Sequence, residues 1–219
     1  MMKLVAILLC ASVAYCAPVK GIDVSGWQPN VNWNNVKAGG IQFAYIKATE
    51  GTSYRSPEFN NQYIGATNVG IIRGAYHFAQ PGSSSGAAQA NYFISNGGGW
   101  SGDGRTLPGA LDLEAGCYGL SQAAMVAWIR DFSNTYYGKT GRHPVFYTTT
   151  SWWQECTGNN ASFGSRNPLW IARWASTVGP LPAGWQYHSI WQYADSGPQP
   201  GDQNYWNGDL AGLQRFAKG

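Results

Sequence analysis

Apolar and polar positions along the 219-residue chain fall into two recurring patterns. Short runs alternate with period two or are apolar almost throughout: GIDVS (21–25), QFAYIKAT (42–49), IIRGAYHFA (71–79), PGALDLE (108–114), HPVFYTTT (143–150), LWIARWA (169–175) and HSIWQYA (188–194). These read as strands, and DQNYW (202–206) is a weaker eighth. Between them lie stretches with helical spacing at 56–70, 85–97 and 121–138. The last is the clearest. Ser121 suits an N-cap, Met125, Trp128, Ile129 and Phe132 recur at three-to-four spacing, and Gly138 reads as the stop. Strands alternating with helices predict an α/β fold with a parallel sheet, doubly wound or closed. About eight strands favour a TIM-like β/α barrel, although one domain of roughly 200 residues is small for it. Only a Pro/Gly-rich link joins 169–175 to 188–194. The barrel is therefore expected to be irregular or incomplete, with antiparallel pairing open to its last strands.

One run carries unexpected chemistry. In GALDLEAG (109–116), Leu111 and Leu113 alternate with Asp112 and Glu114, so a strand would put both acids on one face. Burying two acids together costs free energy, because each loses water and repels the other's anion. Either this is an exposed edge strand with solvated acids, or it is a tuned acid pair in a cleft.

The chain opens MMKLVAILLCASVAYCAPVK. A lone Lys3, an apolar stretch and small residues near Cys16 read as a signal peptide over 1–17, followed by one catalytic domain over 18–219. Removing it takes the formal charge from +3 to +2 and leaves two cysteines, Cys117 and Cys156, expected to pair in a secreted protein. A bridge spanning that separation stabilises a fold by roughly 3–4 kcal/mol in the chain-entropy account. No Lys/Arg run suggests nucleic acid, and no apolar run of ~18 residues suggests a membrane span. Only 11% of residues are charged, against 11 Trp, 13 Tyr and 29 Gly. That balance suits a surface meeting neutral polar ligands such as sugars, although aromatics also fill cores.

Strand ends decide between the two readings of the acids, because β/α barrels build their clefts there. Asp23, Glu50, His77, Asp112, Glu114 and Asp202 all fall at or near strand ends, and the two cysteines lie just past neighbouring strands. Competing chemistry is thin. No G-x-S-x-G elbow accompanies His77, and His77, His143 and His188 lack zinc spacing. No cofactor or metal is expected. NGGGWSGDG (96–104) reads as a loop, and Asn160 opens a glycosylation sequon.

At this point GIDVSGWQPNVNW, FAYIKATEGTSY, GAYHFAQP, ALDLE and WQYADSGPQPGDQNYWNGD, in this order from Gly21 to Asp209, are seen to resemble glycoside hydrolase family 25, the Chalaropsis-type lysozymes. The resemblance implies an N-acetylmuramidase with an irregular β/α barrel. It makes Glu114 the proton donor, Asp112 its partner, and Asp23 and Asp202 the acids of the first and last strands. Glu50 belongs to the K-x-T-E-G signature, and Ser56 departs from the acid or amide usual after it.

Glycosidic cleavage needs a proton on the leaving oxygen and stabilisation of positive charge at the anomeric carbon. Asp112 and Asp23 are expected to raise the pKa of Glu114, leaving Asp112 ionised. The favoured route is attack by the substrate's own 2-acetamido group, oriented by Asp112. Inversion through water activated by Asp23 or Asp202 is the alternative. Tyr147, Trp170, Trp174 and Trp191 are candidate sugar platforms or core residues, and His77 either bonds substrate or braces an acid. The expected protein is a secreted, monomeric lysozyme acting on bacterial peptidoglycan. The other readings are a chitin-cleaving enzyme and a non-catalytic peptidoglycan- or chitin-binding protein on the same scaffold.

Overall fold

The computed structural model describes residues 18–219, so the leader expected at 1–17 lies outside the described residues. The strands are β1 (Val19–Val24), β2 (Ile41–Glu50), β3 (Tyr54–Arg55), β4 (Ile72–Phe78), β5 (Ala110–Leu113), β6 (Val145–Thr148), β7 (Leu169–Ala172), β8 (Ile190–Ala194) and β9 (Asp202–Trp206). Their order is β1-β9-β8-β7-β6-β5-β4-β2-β3, and a further β1–β2 pairing closes the ring. The barrel is thus complete. β3 stands outside it as a short hairpin partner of β2. Neighbours from β1 through β2, β4, β5, β6, β7 and β8 run parallel, while β9 is antiparallel to both β8 and β1. The departure from parallel pairing within the barrel is therefore confined to one strand.

Among the described residues six α-helices accompany the strands: α1 (Trp33–Ala38), α2 (Phe59–Asn68), α3 (Gly86–Phe93), α4 (Gln122–Thr140), α5 (Thr150–Thr157) and α6 (Leu210–Lys218). Ser121 caps α4 by accepting from the Ala124 amide. The helix continues through Gly138 and stops at Gly141, whose φ of 73° suits a residue without Cβ. α1, α5 and α6 do not stand out in the sequence. α5 (TSWWQECT) is short and rich in weak helix formers, and its Thr149 cap and buried Trp153 override that preference.

Period-two alternation divides the core into two layers. Outward residues such as Ile22, Ile46, Ala75, Leu111, Leu113, Phe146 and Ile171 pack under the helices. Inward residues Phe43, Tyr45, Ala110, Val145, Trp170 and Ile190 fill the lower barrel, and Leu213 and Ala217 of α6 join them. Gly21 and Gly74 make room for this filling. A Cβ at Gly21 would lie 2.3 Å from the Phe43 ring, and one at Gly74 would lie 2.6 Å from Tyr45. Cys117, in the loop after β5, is bridged to Cys156 on α5 with Cα atoms 5.2 Å apart. The Trp152 indole donates to the Ala115 carbonyl, a second tie on the loop that follows Glu114.

Candidate active site

Above the aromatic filling, the C-terminal ends of the parallel strands open into a cleft of about 350 Å³ lined by Asp23, Asp112, Glu114, Asp195 and Asp202. Lys47 is the one cation in that lining. On β5 the alternation works as its sequence implies. Leu111 and Leu113 point outward into the shell, and Asp112 and Glu114 face the cleft. The solvated-edge alternative fails, since β5 lies between β4 and β6 and Asp112 is 6% exposed.

Asp112 is buried without a hydrogen-bond donor. Its Oδ1 is inaccessible and has no hydrogen-bond partner. Burial first, then the Glu114 charge, hold its carboxyl well above the usual carboxylate range, and Lys47 opposes them. Glu114 is also raised, by burial and then Asp23, again against Lys47. In the free site both carboxyls of the pair are thus held toward their neutral forms, not Glu114 alone. Asp112 is the deeper of the two, and its buried Oδ1 has no donor.

Asp23 and Asp202 face each other across the β1–β9 pair, a like-charge arrangement that costs free energy unless it is bridged. The bridge is Gln192 on β8, which is 1% exposed. Its Nε2 donates to Asp23 Oδ2 and to Asp202 Oδ2, each at 3.0 Å. Its Oε1 accepts from the Tyr147 hydroxyl at 2.9 Å and the Trp174 indole at 3.0 Å. Each Gln192 atom has the partners its chemistry requires, which fixes the amide's orientation. Asn204 adds a 2.7 Å donation to Asp23 and accepts from the Trp170 indole at 2.8 Å. Burial lifts Asp23 to about 6, and the Asn204 and Gln192 hydrogen bonds limit the rise. Asp202 reaches about 7 through burial and the charges of Asp23, Asp195 and Glu114. Four carboxyls are therefore displaced toward neutral pH, a pattern that marks acid–base sites.

The remaining sequence candidates separate. Trp174 is 60% exposed at the cleft, and Trp27, which no sequence pattern singles out, is 91% exposed in the same lining. Tyr147 and Trp170 form the cleft floor and belong equally to the lower core. Burial, then the surrounding acids, keep the Tyr147 phenol neutral. Glu50 sits in an adjoining depression with Trp27 and Tyr54, outside the cleft lining. It accepts from Lys47 Nζ and from Gln80 Nε2, each at 2.8 Å. Burial would raise its carboxyl, but the Lys47 bond and charge bring it below its ordinary value.

Two further candidates do not reach the cleft. His77 lies on the outward face of β4 and is fully buried. Its Nδ1 is 2.8 Å from Thr49 Oγ1 and its Nε2 is 2.9 Å from Gln89 Oε1. Gln89 Oε1 can only accept, so Nε2 carries the proton and Nδ1 accepts from Thr49. Burial lowers the ring to about 4. A neutral imidazole tying β2 and β4 to α3 neither binds substrate nor braces an acid. Trp191 likewise points outward from β8, where it packs near Tyr193 and Tyr205 and donates to the Arg173 carbonyl. Both fall on the outward parity of their strands, while Tyr76, Phe78 and Gln192 hold the inward positions. The alternation that places Asp112, applied to β4 and β8, makes these distinctions.

Comparison with known proteins identifies the family. The family model "Glycosyl hydrolases family 25" matches residues 22–202. An N,O-diacetylmuramidase of Arthroderma benhamiae is 51% identical over 100% of this chain and 99% of its own length. An N,O-diacetylmuramidase of a Chalaropsis species is 52% identical over 92% of this chain and 100% of its own. The solved structure of a muramidase from Acremonium alcalophilum is 60% identical, with a TM-score of 0.90, covering 91% of this chain and 99% of that one. An acid-lined cleft at the strand ends of a closed barrel, joined to these similarities, places the chain in glycosyl hydrolase family 25 and makes it a glycoside hydrolase.

Proposed function

We propose that the protein is a secreted, monomeric muramidase that hydrolyses the β-1,4 bond between N-acetylmuramic acid and N-acetylglucosamine in peptidoglycan. The observation that carries this reading is the unpartnered carboxyl of Asp112 beside Glu114, in a cleft flanked by exposed Trp27 and Trp174. The names of the relatives support it. Secretion rests on the signal-like leader and on the Cys117–Cys156 bridge.

A largely buried carboxyl that accepts no hydrogen bond, with its second oxygen outside the fully buried set, suits the N–H of a 2-acetamido group. When that N–H donates to Asp112, the ionised form of Asp112 is stabilised and the proton of the pair is held on Glu114. The acetamido oxygen then attacks the anomeric carbon. The bond to the leaving oxygen breaks, and that oxygen takes the Glu114 proton. A cyclic oxazolinium remains, its positive charge facing Asp112. Water attacks the same carbon from the opposite side, gives its proton to the Glu114 carboxylate and restores the acetamido group. The net outcome is retention. Asp23, lifted to about 6 and held by Asn204 and Gln192, favours a second reading in which it activates water directly and the configuration inverts.

The test is to digest purified peptidoglycan and identify the new reducing ends, with proton NMR following the first anomer formed. Muramic acid ends released as the β-anomer are expected, with a loss of about 10²–10⁴-fold in Glu114→Gln. N-acetylglucosamine ends would remove the muramidase assignment, and an initial α-anomer would select the inverting reading.

A further inference from the structure

At the end of the barrel opposite the acids, α4 and the 162–167 loop enclose a second depression of about 220 Å³. At Arg166 and Asn167 it meets a neighbour of about 360 Å³ that reaches Tyr187, Trp206 and Phe216. His143 and Asn167 precede β6 and β7, whereas Asp23, Asp112 and Glu114 lie at or just past the C-terminal ends of β1 and β5, and Asp202 opens the antiparallel β9 at that same end. The two sites therefore face opposite ways.

The two adjoining depressions, taken together as one groove, have a basic half and an aromatic half. Arg130, Arg166 and His143 line the first part, and no acid lines either. Among the described residues neither arginine has a carboxylate within salt-bridge reach. Arg130 is nonetheless placed, with its guanidinium 5.7 Å from the Phe163 centroid and Nη2 donating to Ser162 Oγ at 3.2 Å. The His143 ring stacks on Tyr137 at 4.2 Å. Asn167 is pinned by donating to Ser133 Oγ and the Pro144 carbonyl, at 2.9 and 3.0 Å. In the aromatic half, Tyr187 is 69% exposed, and Trp206 and Phe216 pack at 5.0 Å. Guanidinium forks without carboxylate partners suit phosphate or carboxylate oxygens, and an open aromatic face suits a sugar ring.

We propose that this groove is a non-catalytic binding site for an anionic saccharide polymer. Arg130 and Arg166 take its phosphate or carboxylate groups, and Tyr187 takes an adjoining ring. Only the choice of wall polymer as probe rests on the muramidase reading. The groove would hold the enzyme on a polyanionic wall while the opposite face works on glycan.

The probes are Gram-positive cell walls, intact or stripped of phosphodiester polymers by hydrofluoric acid, pelleted with wild type or with Arg130→Ala/Arg166→Ala. Retention on intact walls should fall about tenfold in the double variant, the order expected for two exposed arginines facing a polyanion. Added salt should shrink the difference. Turnover of a soluble peptidoglycan glycan fragment should stay within about twofold, which also reports correct folding. If stripping brings wild type down to the variant's retention, the ligand is the phosphate polymer. If the difference survives stripping, the ligand is the carboxylate of the peptidoglycan itself. Equal retention of wild type and variant on intact walls would overturn the proposal. Failure of wild type to cut the soluble fragment would instead defeat the muramidase reading, leaving wall retention as a separate readout.

Discussion

The lower and upper halves of the barrel interior are filled in opposite ways. Below, Phe43, Tyr45, Trp170 and Ile190 interlock with Leu213 of α6, and Tyr45 stacks on Trp170 with centroids 4.8 Å apart. The Tyr45 hydroxyl still finds the Pro108 carbonyl at 2.8 Å. Above, Asp23, Asp112, Glu114 and Asp202 crowd together, and Asp112 Oδ1 has no partner. Every carboxyl of that upper group is pushed toward its neutral form. The lower half stabilises the fold, and the upper half gives up part of that stability to hold protons ready near neutral pH. Gln192 and Asn204 lie between them and keep the acids in place without neutralising them.

The contrast is broken most severely from below. Tyr45→Ala should cost about 3–5 kcal/mol, read as a lower urea midpoint, through the cavity and the orphaned Pro108 carbonyl. Gln192→Leu keeps the volume and removes four hydrogen bonds, two of them to carboxylates. Its kcat should fall about 10–100-fold, the worth of hydrogen bonds to charged groups. Asp23 and Asp202 would lose donors that favour their anions, so their pKa values should rise further and the acidic limb of the kcat–pH profile should move upward. An unmoved profile would make Gln192 a packing residue only.

Smaller changes sharpen the comparison. Asp202 rises from 3.8 to about 7 on folding, so the native state binds more protons than the unfolded chain between those values. Stability is therefore lost as pH rises through that window. Asp202→Asn should gain on the order of 1 kcal/mol at about pH 8, a melting point a few degrees higher, since water reaches part of this side chain. Below about pH 4 the gain should vanish. Trp174→Ala should have the smallest effect, raising KM about fivefold with little change in kcat, if its exposed ring stacks on sugar.

Much of this arrangement is legible in the sequence, for reasons that also explain what is not. The β5 alternation needs only the pleat of a strand, so the residue order by itself places Asp112 and Glu114 on one face. The alternating strands and helices imply the barrel, and the missing helix before β8 marks its irregular end. Closure through β9 depends on pairing between β1 and β9, far apart in the chain, which no local pattern carries. Gln192 looks like an ordinary polar residue inside HSIWQYA, because its importance lies in partners from four other segments. Strand-end position alone puts His77 and Trp191 at the cleft, while side-chain parity governs which way they face.

That the upper acids are kept for chemistry at the expense of stability is tested most directly by measuring Glu114→Gln twice, for peptidoglycan hydrolysis and for thermal unfolding at about pH 7. Hydrolysis should fall by about a hundredfold or more, with a melting temperature equal to or above wild type, since one repelling carboxyl has gone. Hydrolysis near the wild-type level, or a marked loss of stability, would mean that the upper acids are not held in this way.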